Sequence, residues 1–458
     1  MVNSRSGIMN LKIIEKLLSR IRDANIKFVR FEVVDMFGIS RLKLIPARHF
    51  KSKAENGMNF HVSYLGSKSL GNMLTGTGCT EELHYSDAVM FPVLDTFEVL
   101  PWWNDTARIL IEPSYDGNEV SFAPRFLARQ QLTKLKKMGY SLLSAHEHEF
   151  YVVNKDTMKP LINDSNIRST IRLYESAGFI HQLGEDLPKV GIDIECMETE
   201  AGPGQHEISY KPSFGIKAAD TAFTYRGAVK EIAMQHGLMA SFMSKPYPDK
   251  NGSSCHFCHS LWDVEGNIPL IFDDDSPDKL SNVAKYWIAG VIHHAPALSL
   301  FMGPTVNCRK RYKPFSFAPS NATWGFDNRT CAVRVKINSE FGSYIENRMG
   351  SAGSNPYLVL AATVAAGIDG IKKKLSLPAD VTGSAYLLQD VPEKTPTIPT
   401  SMQDAVEAFL QDEVIRDAFG EDFVKCFVAI KSHEMQKARE ADENGDSMWD
   451  WNMYFKYI

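Results

Sequence analysis

The sequence predicts an α+β chain, with a small, mostly-β unit over residues 1–115 and a large mixed unit over residues 116–458. Three observations carry this. Two β-type runs, 27–34 and 39–45, flank the turn Asp35-Met36-Phe37-Gly38 close to the N-terminus. A run S-A-H-E-H-E-F-Y-V-V at 144–153 has strand composition in mid-chain. Helical patterns with recognisable ends alternate with strand-like runs over the rest.

In order, Leu11, Ile14, Leu17, Leu18 and Ile21 recur at helical spacing and predict a helix over 11–24. Strands follow at 27–34 and 39–45, then at 88–94 and 108–112. Residues 67–82 are rich in Gly, Ser and Thr and read as a long loop. Ser114-Tyr-Asp-Gly-Asn118 reads as the turn out of the first unit. Pro124 in the first turn and Gly139 beyond the last predict a helix over 123–138. Further helices are expected over 220–236, closed by Gly237, and over 355–371. Residues 392–400 form a proline-rich connection within one unit.

Composition narrows the function. The 458 residues are 44% hydrophobic and 23% charged, with a net charge of −5 and no long basic run. Nucleic acid is therefore not an expected partner. Residues 357–371 are too short and too rich in Gly and Ala to span a bilayer. The N-terminal residues lack a signal-peptide pattern, and seven cysteines make no disulfide framework in so long a chain. The expectation is a cytoplasmic protein without a membrane segment.

Side chains alternate along a strand, so Glu147 and Glu149 share one face and His146 and His148 the other. Paired carboxylates suit a hard divalent cation, although two acids on a solvated strand need none. Distant segments supply matching groups: Glu200-Ala-Gly-Pro-Gly-Gln-His-Glu207, a turn ending in acids; Asn251-Gly-Ser-Ser-Cys-His256; Arg309-Lys-Arg311; Asn328-Arg329 with Arg334; and Glu346-Asn-Arg348. Guanidinium groups match carboxylate and phosphate oxygens. Cys255-His-Phe-Cys258-His259 also fits a haem-attachment pattern, and less well a zinc site, but lacks an export signal or a second ligand pair. The remaining cysteines read as small buried hydrophobes.

Together these segments resemble the glutamine synthetase family over essentially the whole length. The resemblance implies an N-terminal β-grasp domain, a C-terminal catalytic-type domain, and a homo-oligomeric ring or double ring with sites between subunits. It implies that Glu149, Glu200 and Glu207 hold one divalent cation, Mg²⁺ or Mn²⁺. Glu147, His256 and Glu346 would hold a second beside ATP. It implies Arg311, Arg334, Arg348 and Gly252 at the amino-acid substrate, Ser260 and Arg329 at the nucleotide, and Arg329 and Arg348 as catalytic cations. The implied chemistry converts a carboxylate to an acyl phosphate, which an amine then attacks.

Three positions depart from the family pattern. The proton-accepting acid is replaced by Phe317, the ammonium-attracting Asp by His61, and a second active-site His by Cys258. Losing a general base costs roughly 10²–10⁴-fold in rate. The sequence thus leads to a member of the lengsin branch of this family that does not make glutamine from ammonia. That branch implies a structural or chaperone-like homo-oligomer with intermediate-filament partners, retaining Mg²⁺ and ATP binding. The alternative is an ATP-dependent γ-glutamyl ligase that uses an organic amine.

Overall fold

A computed structural model describes residues 4–387, 391, 393 and 395–458, with side chains from residue 10 onward. The chain is α+β, built on two sheets.

Helix α1 (Ser4–Asp23) buries Ile14, Leu17 and Ile21, while Leu11, which the spacing placed on the same stripe, is exposed. Strands β1 (Phe28–Val34) and β2 (Ser40–Pro46) form the expected hairpin. Its turn is fixed by Asp35, whose Oδ1 accepts from the amides of Phe37 and Ile39, both at 2.9 Å. Helix α2 (Phe50–Asn56), β3 (Met58–His61), β4 (Asp87–Pro92), β5 (Glu98–Val99), β6 (Thr106–Tyr115) and β7 (Asn118–Glu119) complete the unit. The strand order is β2-β1-β6-β4-β3, with β5 and β7 also paired to β6. The first sheet therefore continues past residue 115. Residues 67–80 lack helix and strand, as their composition predicts, and a short 3-10 turn over Glu81–Leu83 ends the loop.

Helix α3 (Pro124–Lys137) leads into β8 (Tyr140–Asn154), the long central strand of the second sheet. Next come α4 (Thr170–Glu175), α5 (Ala177–Asp186), β9 (Ile194–Thr199), β10 (Gln205–Tyr210), β11 (Ser213–Phe214), α6 (Lys217–Gln235), β12 (Leu238–Ser241) and β13 (Cys255–Asp263). Helices α7 (Asn282–His293), α8 (Ala295–Met302) and α9 (Val306–Arg309) precede β14 (Trp324–Phe326), β15 (Val333–Lys336) and β16 (Tyr344–Asn347). The order is β14-β15-β16-β13-β8-β10-β9, with β11 and β12 also on β8. Helix α10 (Pro356–Lys373) is buried from Pro356 to Gly370, which explains its continuous apolar sequence. The chain ends in α11 (Met402–Gln411), α12 (Glu413–Phe419), α13 (Glu421–Glu443) and α14 (Trp449–Tyr454). Pro392 and Lys394 of the expected connection lie outside the described residues. The rest of it is held by hydrogen bonds from Ala322 N to Pro396 O and Ile398 N to Ser320 O. Among the described residues no helix is long and apolar enough to cross a membrane.

Buried charge joins the two units. Arg30 and Arg108 are opposite each other on β1 and β6, and both reach Glu32, at 2.6 and 2.9 Å. Arg30 also reaches Glu231 on α6, at 2.8 Å, and Trp102 donates to the same carboxylate. Arg125 of α3 makes a two-pronged pair with Asp220 of α6, 2.9 Å on each arm, and contacts Glu112 of β6 at 2.8 Å. Such paired, hydrogen-bonded ions are the form in which buried charge is tolerated.

Candidate active site

Strand register brings the acids together. On β8, Glu147 lies opposite His256 of β13, and Glu149 lies opposite Glu207 of β10. Glu207 is in turn opposite Glu198 of β9. On the other side Cys258 pairs with Glu346 of β16, and Glu346 with Arg334 of β15. Opposed residues in antiparallel strands share a face with neighbouring Cβ atoms. The result is a row of acids, one imidazole and guanidinium groups across six strands, lining a cavity of about 800 Å³. His146 and His148 point to the opposite, buried face, where His148 stacks on Tyr225 of α6 with ring centroids 5.3 Å apart.

Two ligand clusters result, each with donor atoms within 4.8 Å of one another. The first is Glu147, His256 and Glu346, as the resemblance implied. His256 Nδ1 lies 3.2 Å from Glu346 Oε1 and 3.6 Å from Glu147 Oε2. Burial pushes His256 well below the usual imidazole value, leaving a neutral nitrogen donor, and pushes Glu147 up. Burial also opposes ionisation of Glu346, but the contacts of His256, Arg348 and Arg334 outweigh it and hold it low.

The second cluster is Glu198, Glu200 and Glu207. Here the expected set of Glu149, Glu200 and Glu207 is modified. Glu149 Oε2 accepts from Ser254 N and Gln205 Nε2, both at 3.0 Å, and Oε1 accepts from the Ser254 hydroxyl. Glu149 lies opposite Glu207 beside the cluster, and Glu198, within it, has both oxygens paired with Arg168. The alternation that selects Glu147 and Glu149 also applies to Glu198-Thr-Glu200 and is the signal that was overlooked. Burial and the charge of Glu149 raise Glu200 to about 7. Burial, Glu149, Glu147, Glu200 and Glu198 raise Glu207 to about 9. Carboxylates crowded in this way favour a bound cation, and their oxygens fit Mg²⁺ or Mn²⁺.

The Gly-Pro-Gly turn sets this geometry. A Cβ on Gly202 would fall 2.1 Å from Tyr151 Oη. Gly204 has φ +68°, and a Cβ there would lie 2.5 Å from the carbonyl oxygen of Val152. Arg172 of α4, buried, donates to the carbonyl oxygens of Glu200 and Gly202, each at 2.6 Å. No motif in the sequence marks Arg172.

The arginines line the cavity in different ways. Arg334 Nη1 donates to Glu346 Oε2 at 2.9 Å, and Arg348 Nη1 donates to Glu346 Oε1. Two of the three expected substrate-binding guanidiniums, Arg334 and Arg348, thus contact a metal-cluster acid. Arg311 is buried and donates to Met349 O at 3.0 Å. Gly252 permits its approach, since a Cβ there would lie 3.1 Å from the Cβ of Arg311. Arg329 is exposed and lines the same cavity. Gln205, Arg168, Asp249, Lys245, Lys313 and Phe315 also line it and were not anticipated.

Ser260 lies two residues beyond Cys258 and does not line the cavity; its hydroxyl accepts from Trp262 Nε1 at 2.8 Å. His61 is exposed at the end of β3, outside this cavity, with Nδ1 2.8 Å from Ser63 Oγ. Strand alternation puts Cys255 and Cys258 on opposite faces of β13, so Cys255-x-x-Cys258-His259 forms no common ligand set. His259 is buried and accepts from Trp287 Nε1 at 2.9 Å. Cys79, Cys308, Cys331 and Cys426 are buried as expected, but Cys196 is exposed.

Phe317 lines the cavity with 62% of its surface exposed, and Phe315 does so with 70%. Both have positive φ, +58° and +61°. A bulky residue in the left-handed region costs about 1–2 kcal/mol. Such conformations concentrate at functional sites.

Residues 121–454 match the family model described as glutamine synthetase, catalytic domain. The chain belongs to the glutamine synthetase family. Rat lengsin is 36% identical over 440 residues, covering 93% of this chain and 76% of the relative. A glutamate–isopropylamine ligase from Pseudomonas sp is 31% identical over 462 residues, covering 98% and 99%. A solved GmaS/ADP complex superposes with a TM-score of 0.81 at 25% identity, covering 94% of this chain and 96% of that one. The likeness to lengsin expected of this family member holds. Its relatives also include ligases.

Proposed function

We propose that this protein is an ATP-dependent ligase that joins the side-chain carboxylate of glutamate to an organic amine through an acyl phosphate. The observation that carries this reading is one cavity holding two acid-rich ligand clusters and five arginines, with Phe317 at the position of the proton-accepting acid and Phe315 beside it. Divalent cations, when bound, neutralise charge on the transferring phosphoryl group. Glu147, His256 and Glu346 would hold one, and Glu198, Glu200 and Glu207, with Glu149 beside them, the other. Arg311 and Arg348 orient the amino-acid substrate. Arg329 and Arg334 meet phosphate charge. Phe317 and Phe315 favour an amine with an apolar substituent over ammonia, because an aromatic side chain contacts alkyl groups and gives a bare ammonium only a weak hold.

A second reading has support of its own. The likeness to lengsins, with Phe317 in place of the acid, fits a non-catalytic, chaperone-like homo-oligomer with filament partners. The acid row weighs against it, since raising Glu207 to about 9 is a cost that a bound cation relieves and an unused pocket does not. Members of the family are generally oligomeric, and a ring or double ring in the cytoplasm is consistent with either reading.

ADP release with glutamate, Mg²⁺ and a panel of amines tests the two. The ligase reading expects release that depends on alkylamine or hydroxylamine and exceeds that with ammonia. Background release with every amine, in Mg²⁺ and Mn²⁺ alike, would leave the non-catalytic reading standing.

A further inference from the structure

An amine that attacks an acyl carbon must lose a proton, and position 317 cannot take it. The cavity contains seven carboxylates, and six are engaged. Glu147, Glu200, Glu207 and Glu346 belong to the metal clusters. Glu149 is held by Ser254 and Gln205. Glu198 is gripped by Arg168, whose Nε and Nη2 lie 2.6 and 2.9 Å from its two oxygens. The seventh is Asp249. Its side chain is 75% exposed, and its only salt bridge is with its neighbour Lys250, at 3.2 Å.

The loop that carries Asp249 is closed and aimed at the site. Ser253 N donates to Ser244 O at 2.7 Å, Lys250 N to Tyr247 O at 3.3 Å, and Tyr151 Oη to Asn251 O at 2.6 Å. Three residues beyond Asp249, Gly252 packs against Arg311, which begins the segment leading to Phe317. Asp249, Lys245, Lys313 and Phe317 all line the same cavity.

We propose that Asp249 is the proton acceptor for the amine, an assignment that rests on the ligase reading. In the step, the amine lone pair forms the C–N bond to the acyl phosphate, and the C–O bond breaks with its electrons leaving on phosphate. The proton on the now-cationic nitrogen passes to Asp249 and from there to solvent. That nitrogen is far more acidic than a free alkylammonium, so an ordinary carboxylate suffices. The charged and titratable groups that interact with Asp249 are Lys250, Lys245 and Tyr151. The Lys250 hydrogen bond holds the carboxyl below its usual value and so ionised.

The test compares full-length wild type with Asp249→Asn, Asp249→Glu and His61→Asn, using isopropylamine and hydroxylamine as nucleophiles across pH 6–9. The expected result is a loss of about 100-fold or more in amide formation from isopropylamine with Asp249→Asn. Hydroxamate formation should fall far less, because the nitrogen that hydroxylamine brings to the acyl carbon is more acidic and gives its proton to water, and Asp249→Glu should recover part of the loss. Equal losses with both nucleophiles, or retention within a few-fold with isopropylamine, would overturn the assignment while leaving the ligase reading intact. So would a loss that follows His61→Asn instead. Wild type forming neither amide nor hydroxamate would overturn both.

Discussion

Arg172 Nη1 donates to the carbonyl oxygen of Glu200 at 2.6 Å, so a buried cation on one short helix sets the backbone of an acid in the second ligand cluster. Its other arm holds Gly202 O. Arg172→Met keeps the bulk and removes both donors. Groups that support metal ligands typically change affinity by about 10–100-fold when lost. Mg²⁺ affinity measured calorimetrically should weaken by that factor, with little change at the Glu147 cluster.

Neutralising one acid of the cluster should have opposite effects with and without metal. Glu207→Gln removes a carboxyl that burial and four neighbouring acids push up to about 9. The metal-free variant should melt higher than wild type near neutral pH, and the gain in Tm on adding Mg²⁺ or Mn²⁺ should shrink. Thermal melts with and without chelator measure both.

Gly204→Ala should be far more damaging than an ordinary surface change. The residue has φ +68°, and the new methyl would lie 2.5 Å from a backbone oxygen. Left-handed strain alone costs about 1–2 kcal/mol. The clash adds to it. Denaturant melts should show a loss of at least that size, together with loss of metal-dependent stabilisation.

Away from the site, His294 links α8 to two acids, with Asp412 Oδ2 at 2.6 Å and Asp369 Oδ2 at 3.1 Å. Burial opposes the imidazolium, but these carboxylates win and the pKa is raised. The stabilisation is fully present below the unfolded value near 6.5 and is lost as pH rises through the folded one. Wild type should therefore lose stability on going from pH 6 to pH 9 relative to His294→Gln. The difference at pH 6 should be on the order of 2 kcal/mol. Urea melts at several pH values measure it.

On the ligase reading, position 317 selects the nucleophile. Phe317→Glu supplies a carboxylate at the cavity mouth, so the ratio of ammonia to alkylamine use should rise by about 10²-fold, the low end of a general-base effect. Product analysis by mass spectrometry reads that ratio directly.

Local features were legible in the sequence. The strand holding Glu147 and Glu149, the hairpin around Asp35 and the helix opened by Pro124 follow from alternation, turn chemistry and capping. What could not be read was register. Glu198 joins its cluster because β9 pairs with β10 so that it faces Glu207, and Glu149 is drawn aside by Ser254 and Gln205. Only the second depends on contacts between distant segments, 56 and 105 residues apart; β9 and β10 are consecutive strands. Arg172 and Asp249 carry no motif, and their roles come from what the fold places beside them. Ser260 shows the converse, since a matching position lies too far along its strand to reach the cavity.

The charges buried between the two sheets also bear on how molecules enter and leave. If the small unit swung away from α6, Arg30 and Trp102 would lose Glu231 and Arg125 would have to give up either Asp220 or Glu112, whereas Arg30, Glu32 and Arg108 would stay paired with one another. Hinged opening of the two halves is thus opposed by the contacts that cross between them.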